Sequence, residues 1–218
     1  MITPGSQPFF RLTKPLLFAA CCWPLLRLLL GAFGLAGLGL GANPVEFIQD
    51  TLGIWGLRLL LLTLAITPLR LLTGRAWLLR YRRMLGLFAF FYILLHFSVY
   101  AGLDLRLDFA HLGEDVLKRP FITIGFLALC LLLPLALTST RGWMRRLGRR
   151  WQALHRLVYP AAVLGVWHYY WQVKLDAWEP TVYALILALL LGVRALRAWG
   201  RRRAAPRLPE IESSRGRA

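Results

Sequence analysis

Acidic side chains are scarce in this chain: ten Asp and Glu among 218 residues, against 27 Lys and Arg. Cysteine and histidine are rarer still, at three and four residues. Cys21 and Cys22 are adjacent and Cys130 is distant, so a disulfide framework is excluded and no thiol pair has metal-site spacing. Long polar stretches are also missing. A composition 58% apolar and 13% aromatic is the opposite of a disordered chain. A net charge of +17 would point to a nucleic-acid partner in a soluble protein. Here, however, apolar runs of roughly 18 residues or more recur, and a chain of this size cannot hide them in a soluble core. The sequence therefore reads as a polytopic membrane protein. Its charge has to be interpreted by position, and nucleic-acid binding gains no support.

Six segments are predicted to span the membrane as helices: 16–40, 52–72, 84–103, 121–138, 155–173 and 181–199. Each suffices to cross a hydrocarbon core of roughly 30 Å at about 1.5 Å per residue. Short polar connectors separate them, such as Asn43-Pro44-Val45-Glu46 and Asp176-Ala177-Trp178-Glu179-Pro180. No internal repeat or long linker is visible. The expected fold is all-α, a single six-helix bundle over residues 16–199, with an N-terminal arm (1–15) and a basic tail (200–218). A cleaved signal peptide is the rival reading of the first segment. Its apolar run is longer than usual, Arg27 interrupts it, and Leu40 spoils a cleavage site at Ala42.

The charges then sort by side. Arg11 and Lys14, the second and fourth connectors and the tail place 21 basic residues on one face. The opposite face has Arg106, Lys118, Arg119 and Lys174, beside eight of the ten acids. The positive-inside rule makes both termini cytoplasmic, as an even number of spans requires.

Three of the four histidines, His96, His155 and His168, fall inside predicted spans. A polar side chain there is costly and points to function, although a hydrogen bond between helices is the plainer explanation for any one of them. His96 follows Arg83 by 13 residues and His168 follows His155 by 13, on helices that run in the same direction. Both then lie about 20 Å from the inner surface. Two imidazoles at one depth on different helices are what bis-histidine ligation of a haem iron needs. Gly165, one turn below His168, leaves room for a ring face, and Phe91, Tyr92, Phe97 and Tyr100 surround His96. His155 is about 20 Å deeper. The positions opposite it are Arg82 and Arg83, which cannot ligate iron. Thirteen residues also rotate an ideal helix by about 220°, so His155 and His168 share a face only if Pro160 changes the phase. One outer haem is expected, and a second, inner haem is left open.

Two arginines lie within spans. Arg27 falls near the middle of the first and Arg58 a turn or two inside the outer end of the second. Snorkelling competes with a role as counter-ion to haem propionates or to a quinone oxygen. The outer connector 104–119 has the pattern of an interfacial amphipathic helix, either a solvated acidic loop or a partner-docking surface, and includes His111. The cytoplasmic arginines need only topology and anionic lipid to explain them.

Several motifs carry a resemblance covering roughly Pro44 to Trp199. They are Thr67-Pro68-Leu69-Arg70, Arg82-Arg83-Met84-Leu85-Gly86-Leu87 with Tyr92 and Leu95-His96, and Leu154-His155-Arg156-Leu157-Val158-Tyr159 with His168-Tyr169. Together they resemble the haem-binding membrane subunits of periplasmic methionine-sulfoxide reductase systems, the MsrQ or YedZ family, within the ferric-reductase-like transmembrane group. The resemblance implies a bacterial inner-membrane protein with b-type haem. It would take electrons from the quinone pool and pass them to a periplasmic molybdenum-cofactor subunit that repairs oxidised methionines. Flavin mononucleotide is associated with the family, but no feature here locates it. By motif, His96, His155 and His168 are the haem-related histidines. Larger ferric reductases carry two histidines on each of two helices, and this chain departs from them at Arg82 and Arg83. Its short tail leads us to expect no flavin–nicotinamide domain. The competing functions are a transmembrane metalloreductase acting on external ferric iron, and a haem-free small transporter or structural membrane protein.

Overall fold

The computed structural model describes residues 4, 6–173 and 177–204. Lys174, Asp176 and the tail beyond residue 204 lie outside the described residues. Helix α1 spans Gln7–Ala32. The Ser6 side chain accepts from the Phe9 amide at its start, and Pro8 falls in the first turn, where its missing N–H costs nothing. The helix stops before Gly34 and Gly37, which adopt left-handed φ values of 64° and 67°. This shifts the first span toward the N-terminus from the predicted 16–40. The glycine-rich run after residue 31 is apolar by composition but turns the chain instead of continuing the helix. Arg27 consequently lies near the C-terminal end of α1, not at its middle.

Helix α2, Pro44–Thr73, opens with the Asn43 side chain on the Glu46 amide and Pro44 at the first position, and ends at Gly74 with φ 69°. It forms the centre of the bundle: 56% of its most apolar stretch is buried, against 17% for α1. Helix α3, Leu79–Val99, follows a 3₁₀ turn and runs on through a π-helical turn at Tyr100–Asp104. Helix α4, Phe109–Lys118, is a short amphipathic helix, with Asp108 capping the Ala110 and His111 amides. Helix α5 is Pro120–Leu137. The short basic helices α6, Arg141–Leu147, and α7, Arg149–Leu154, precede a 3₁₀ turn at His155–Leu157. Helices α8, Val158–Gln172, and α9, Trp178–Ala204, complete the described chain.

Among the described residues, five helices are long and apolar enough to cross a membrane; α8, in the place of the predicted fifth span, is not one of them. It has 15 residues because α-helical geometry begins only two residues before Pro160, whose ring would clash with the preceding turn in a helix interior. With the 3₁₀ turn it extends about 28 Å. The fold is therefore an all-α, multi-span membrane bundle in which α2 packs on α3 and α5 on α8, with α3 against α5 joining the pairs.

Prolines inside the helices leave backbone groups that distant side chains satisfy. Beside Pro24 in α1, the fully buried Tyr92 hydroxyl accepts from the Leu25 amide at 3.2 Å and donates to the Cys21 carbonyl at 2.6 Å. The phenol thus bridges the two groups that would otherwise form one rung of the α1 ladder. Pro68 in α2 has no N–H for the Leu64 carbonyl. Arg194 of α9 donates to that carbonyl instead, and also to Leu190 O at 2.6 Å. Orphaned backbone groups in a bilayer have no water to fall back on, so each such bond helps hold the helices in register.

Candidate functional site

The two helix pairs build the same device twice. His96, three residues from the end of α3, places Nδ1 2.9 Å from the Gln49 carbonyl of α2. His168, near the end of α8, places Nδ1 2.7 Å from the Phe121 carbonyl of α5. Each histidine follows its carbonyl by 47 residues. A carbonyl only accepts, so Nδ1 carries the proton in both rings and each Nε2 keeps its lone pair. The residue four places after each carbonyl is glycine, and each glycine lies directly against its imidazole. A Cβ on Gly53 would come within 3.1 Å of His96 Nδ1, and one on Gly125 within 2.8 Å of His168 Nδ1.

The two ring centroids lie 6.2 Å apart with planes crossed at 75°. Imidazole nitrogens about 2.0 Å from a shared metal, with each ring centre about 1.1 Å further back, would separate the centroids by about 6.2 Å. Among the described residues, no group of three or more His, Cys, Asp or Glu side chains converges as a metal site. The pair therefore suits a metal that brings its own equatorial donors, as a porphyrin does.

Both histidines line one cleft of about 700 Å³, within the roughly 300–1,000 Å³ typical of cofactor sites. Its inner end is apolar, with Leu57, Leu60, Leu129, Leu132, Ala161 and Gly165. Its outer rim is polar. Arg58 donates through Nε to Tyr183 Oη at 2.7 Å and lies 3.7 Å from Glu179, which also accepts from Tyr169 Oη at 2.7 Å. Arg119 pairs through Nε with buried Asp115 at 3.1 Å, and Tyr100 Oη donates to the same carboxylate at 2.5 Å. Gln49 lines the cleft too, and its side-chain Nε2 is buried without a hydrogen-bond partner. An apolar slot, two neighbouring imidazoles that keep Nε2 lone pairs, glycine cradles and a rim carrying Arg58 and Arg119 fit a haem with its carboxylates at that rim.

The structure brings His96, His168 and Arg58 to this cleft, together with Phe97, Tyr100 and Gly165. Tyr92 turns away to α1, and Phe91 is exposed outside the cleft. Arg27 is exposed on α1 and does not line it. His111, on α4, lies 3.9 Å from Asp115 and is also outside it. His155 has a separate setting, in the 3₁₀ turn that precedes α8. The Thr138 hydroxyl donates to the Pro134 carbonyl at 2.6 Å, so His155 Nε2, 3.0 Å away, is the donor to Thr138. Trp151 stacks on the imidazole with centroids 3.9 Å apart and donates to Thr138 O at 2.9 Å. The lone pair left to His155 is on Nδ1, opposite to the arrangement of the outer pair.

Gly53, Gly125, Gln49, the Phe121 carbonyl and Arg119 escaped the sequence reading. One signal was present: each glycine precedes its histidine by 43 residues.

Three comparisons bear on identity. The family described as "Ferric reductase like transmembrane component" matches residues 52–166. A relative from Xanthomonas campestris pv. campestris, strain 8004, is 56% identical over 168 residues, 77% of each chain. One from Rhodospirillum rubrum is 55% identical over 194 residues, covering 88% of this chain and 92% of its own. Both carry the description "Protein-methionine-sulfoxide reductase heme-binding subunit MsrQ".

Proposed function

Because the chain belongs to the MsrQ family of ferric-reductase-like transmembrane components, we propose that it is the membrane electron-transfer subunit linking the quinone pool to a periplasmic methionine-sulfoxide reductase. In this reading His96 and His168 would hold a b-type haem in this cleft, each through Nε2. The observation that carries it is the imidazole pair with ring centroids 6.2 Å apart, each ring held through Nδ1 by a main-chain carbonyl so that Nε2 keeps its lone pair. Haem b supplies reversible one-electron storage in a setting too apolar for free charge. The carbonyl bonds raise the basicity of both ligands and hold them oriented.

Arg58 on the cleft wall serves as a propionate counter-ion, while Arg27, exposed near the end of α1, reaches the headgroup region. A second haem, with His155 as a ligand through Nδ1, is the extension of this reading to the cytoplasmic side. Six crossings with both termini in the cytoplasm follow from the 21 basic residues on one face, if α8 with its 3₁₀ turn spans the bilayer as the fifth. That topology, in a bacterial inner membrane, directs the outer cleft to the periplasm. The partner's molybdenum cofactor and the associated flavin mononucleotide enter through the family resemblance alone.

Each quinol oxidised to quinone releases two electrons and two protons, and each sulfoxide reduced to thioether and water consumes the same. The test is therefore stoichiometric. Haem-loaded protein in liposomes, given a quinol inside and the periplasmic reductase outside, is expected to sustain methionine formation from the sulfoxide. A haem that quinol cannot reduce would overturn the reading. Faster delivery to ferric chelates than to the reductase would favour the metalloreductase alternative.

A further inference from the structure

Among the described residues, Asp115 is the only buried residue with a charged side chain, at 5% exposure. A buried carboxylate is costly unless it is paired and hydrogen-bonded. Asp115 does not itself line the cleft. Its two oxygens divide instead between the two halves of the bundle. Oδ2 accepts from Tyr100 Oη at 2.5 Å, in the π-helical turn that ends α3. Oδ1 accepts from Arg119 Nε at 3.1 Å, at the cap of α5. Resting on the haem reading above, we infer that Asp115 is a positioning residue, a bridge from α3 to α5 that sets the spacing and angle at which the His96 and His168 imidazoles are presented.

The bridge reaches each imidazole in few steps. On the α3 side, the Tyr100 amide bonds the His96 carbonyl, so the phenol and the ligand share one helical turn. On the α5 side, the Arg119 carbonyl accepts from the Ile122 and Thr123 amides at 2.9 and 3.1 Å, closing the first turn of that helix. Phe121, within this turn, supplies the carbonyl 2.7 Å from His168 Nδ1. The carboxylate is itself held in place. The Arg119 amide donates to the Asp115 carbonyl at 2.9 Å, and the Thr123 hydroxyl donates to the Val116 carbonyl, so α4 and the start of α5 form one fixed corner. The chain between α3 and α4 passes through Arg106 and Leu107 at φ 49° and 62°, a region that is costly for side chains with a Cβ. Such backbone persists where its surroundings over-determine it, and here it returns α4 to the end of α3. The two ligand-bearing pairs, α2 with α3 and α5 with α8, are thereby tied at the polar rim of the cleft.

The test titrates full-length protein with haem b and reads the low-spin Soret band and low-temperature electron paramagnetic resonance. Tyr100→Phe removes the α3 arm and leaves the Asp115–Arg119 pair. It is expected to weaken haem binding about tenfold, the worth of one charge-assisted hydrogen bond. It should also spread the single wild-type low-spin signal over a range of ligand-plane angles. Asp115→Leu removes both arms at similar volume and should weaken binding at least as much. The double variant should bind no more weakly than Asp115→Leu alone, because the hydroxyl acts through the carboxylate. Tyr81→Phe is the control: it removes a hydroxyl bonded to Thr13 Oγ1 at 2.5 Å, at the opposite end of α3, and should change haem affinity less than about twofold. Wild-type affinity and signal in Tyr100→Phe would overturn the assignment, as would an equal loss in Tyr81→Phe. Additive losses in the double variant would also overturn it, since Tyr100 would then act independently of Asp115. Wild-type protein that takes up no low-spin haem would instead overturn the functional reading beneath it.

Discussion

Replacing Gly125 with alanine would put a methyl carbon 2.8 Å from His168 Nδ1, 2.9 Å from Cε1 and 3.1 Å from Cγ. All three contacts fall on one rigid ring. That ring cannot retreat while Nδ1 is held by the Phe121 carbonyl at 2.7 Å and Nε2 serves as a ligand. Overpacking of this kind costs about 1–3 kcal/mol, and a lost carbonyl bond adds about 1 kcal/mol. A total of about 2–4 kcal/mol corresponds to a loss of roughly 30- to 1,000-fold in haem affinity. In the free protein His168 can rotate away, and alanine in a helix is better than glycine by about 1 kcal/mol. The variant should therefore lose haem without losing thermal stability of the apoprotein. Haem titration followed by the low-spin Soret band, beside melting of the apo form, reads the two effects separately. Gly53→Ala should show the same defect more mildly, because its closest approach to His96 is 3.1 Å. Gly86→Ala is the control: its new methyl would meet only the Thr63 side chain, at ordinary distances of 3.5 and 3.9 Å. Wild-type haem affinity in Gly125→Ala would refute the argument that the glycine exists to admit the ligand ring.

Other predictions address the frame around the cleft. Tyr92→Phe removes the hydroxyl bridging the Leu25 amide and the Cys21 carbonyl, and should lower stability by about 1–3 kcal/mol in reversible detergent unfolding. Arg194→Met leaves the Leu64 carbonyl unmet and should destabilise by a similar amount, about 1–3 kcal/mol. Adding Pro68→Ala restores an N–H for that carbonyl and should recover part of the loss, so an additive double variant would refute this pairing. His155→Ala should leave the outer haem spectrum intact while changing total haem content or quinol-driven reduction; no change in either would reduce His155 to its structural contacts with Thr138 and Trp151.

Much of this arrangement was legible in the chain, for identifiable reasons. Hydropathy locates helices because a bilayer tolerates no unsatisfied backbone, and the equal spacings before His96 and His168 set a common depth. What hydropathy misreads is backbone conformation. Gly34 and Gly37 count as apolar yet end α1, moving Arg27 from mid-span to the C-terminal end of the helix. Length alone also missed the late start of α8 beside Pro160. The acceptors that orient the ligands are main-chain carbonyls, which every residue possesses, so nothing marks Gln49 or Phe121 in advance. Gly53 and Gly125 differ from other helix glycines only in what packs on them. For His155 the structure adds a setting the sequence did not show: its Nε2 is turned to Thr138, and its remaining lone pair is on Nδ1.

The most direct test of the central proposal is low-temperature electron paramagnetic resonance of the oxidised, haem-loaded protein, wild type against His96→Ala and His168→Ala. The account predicts a low-spin bis-imidazole signal in the wild type. Imidazole planes crossed at 75° should give it the strongly anisotropic form of near-perpendicular ligands. Either substitution should abolish that signal, leaving high-spin haem or none. A bis-imidazole signal that persists in either variant would contradict the assignment of His96 and His168 as the ligand pair.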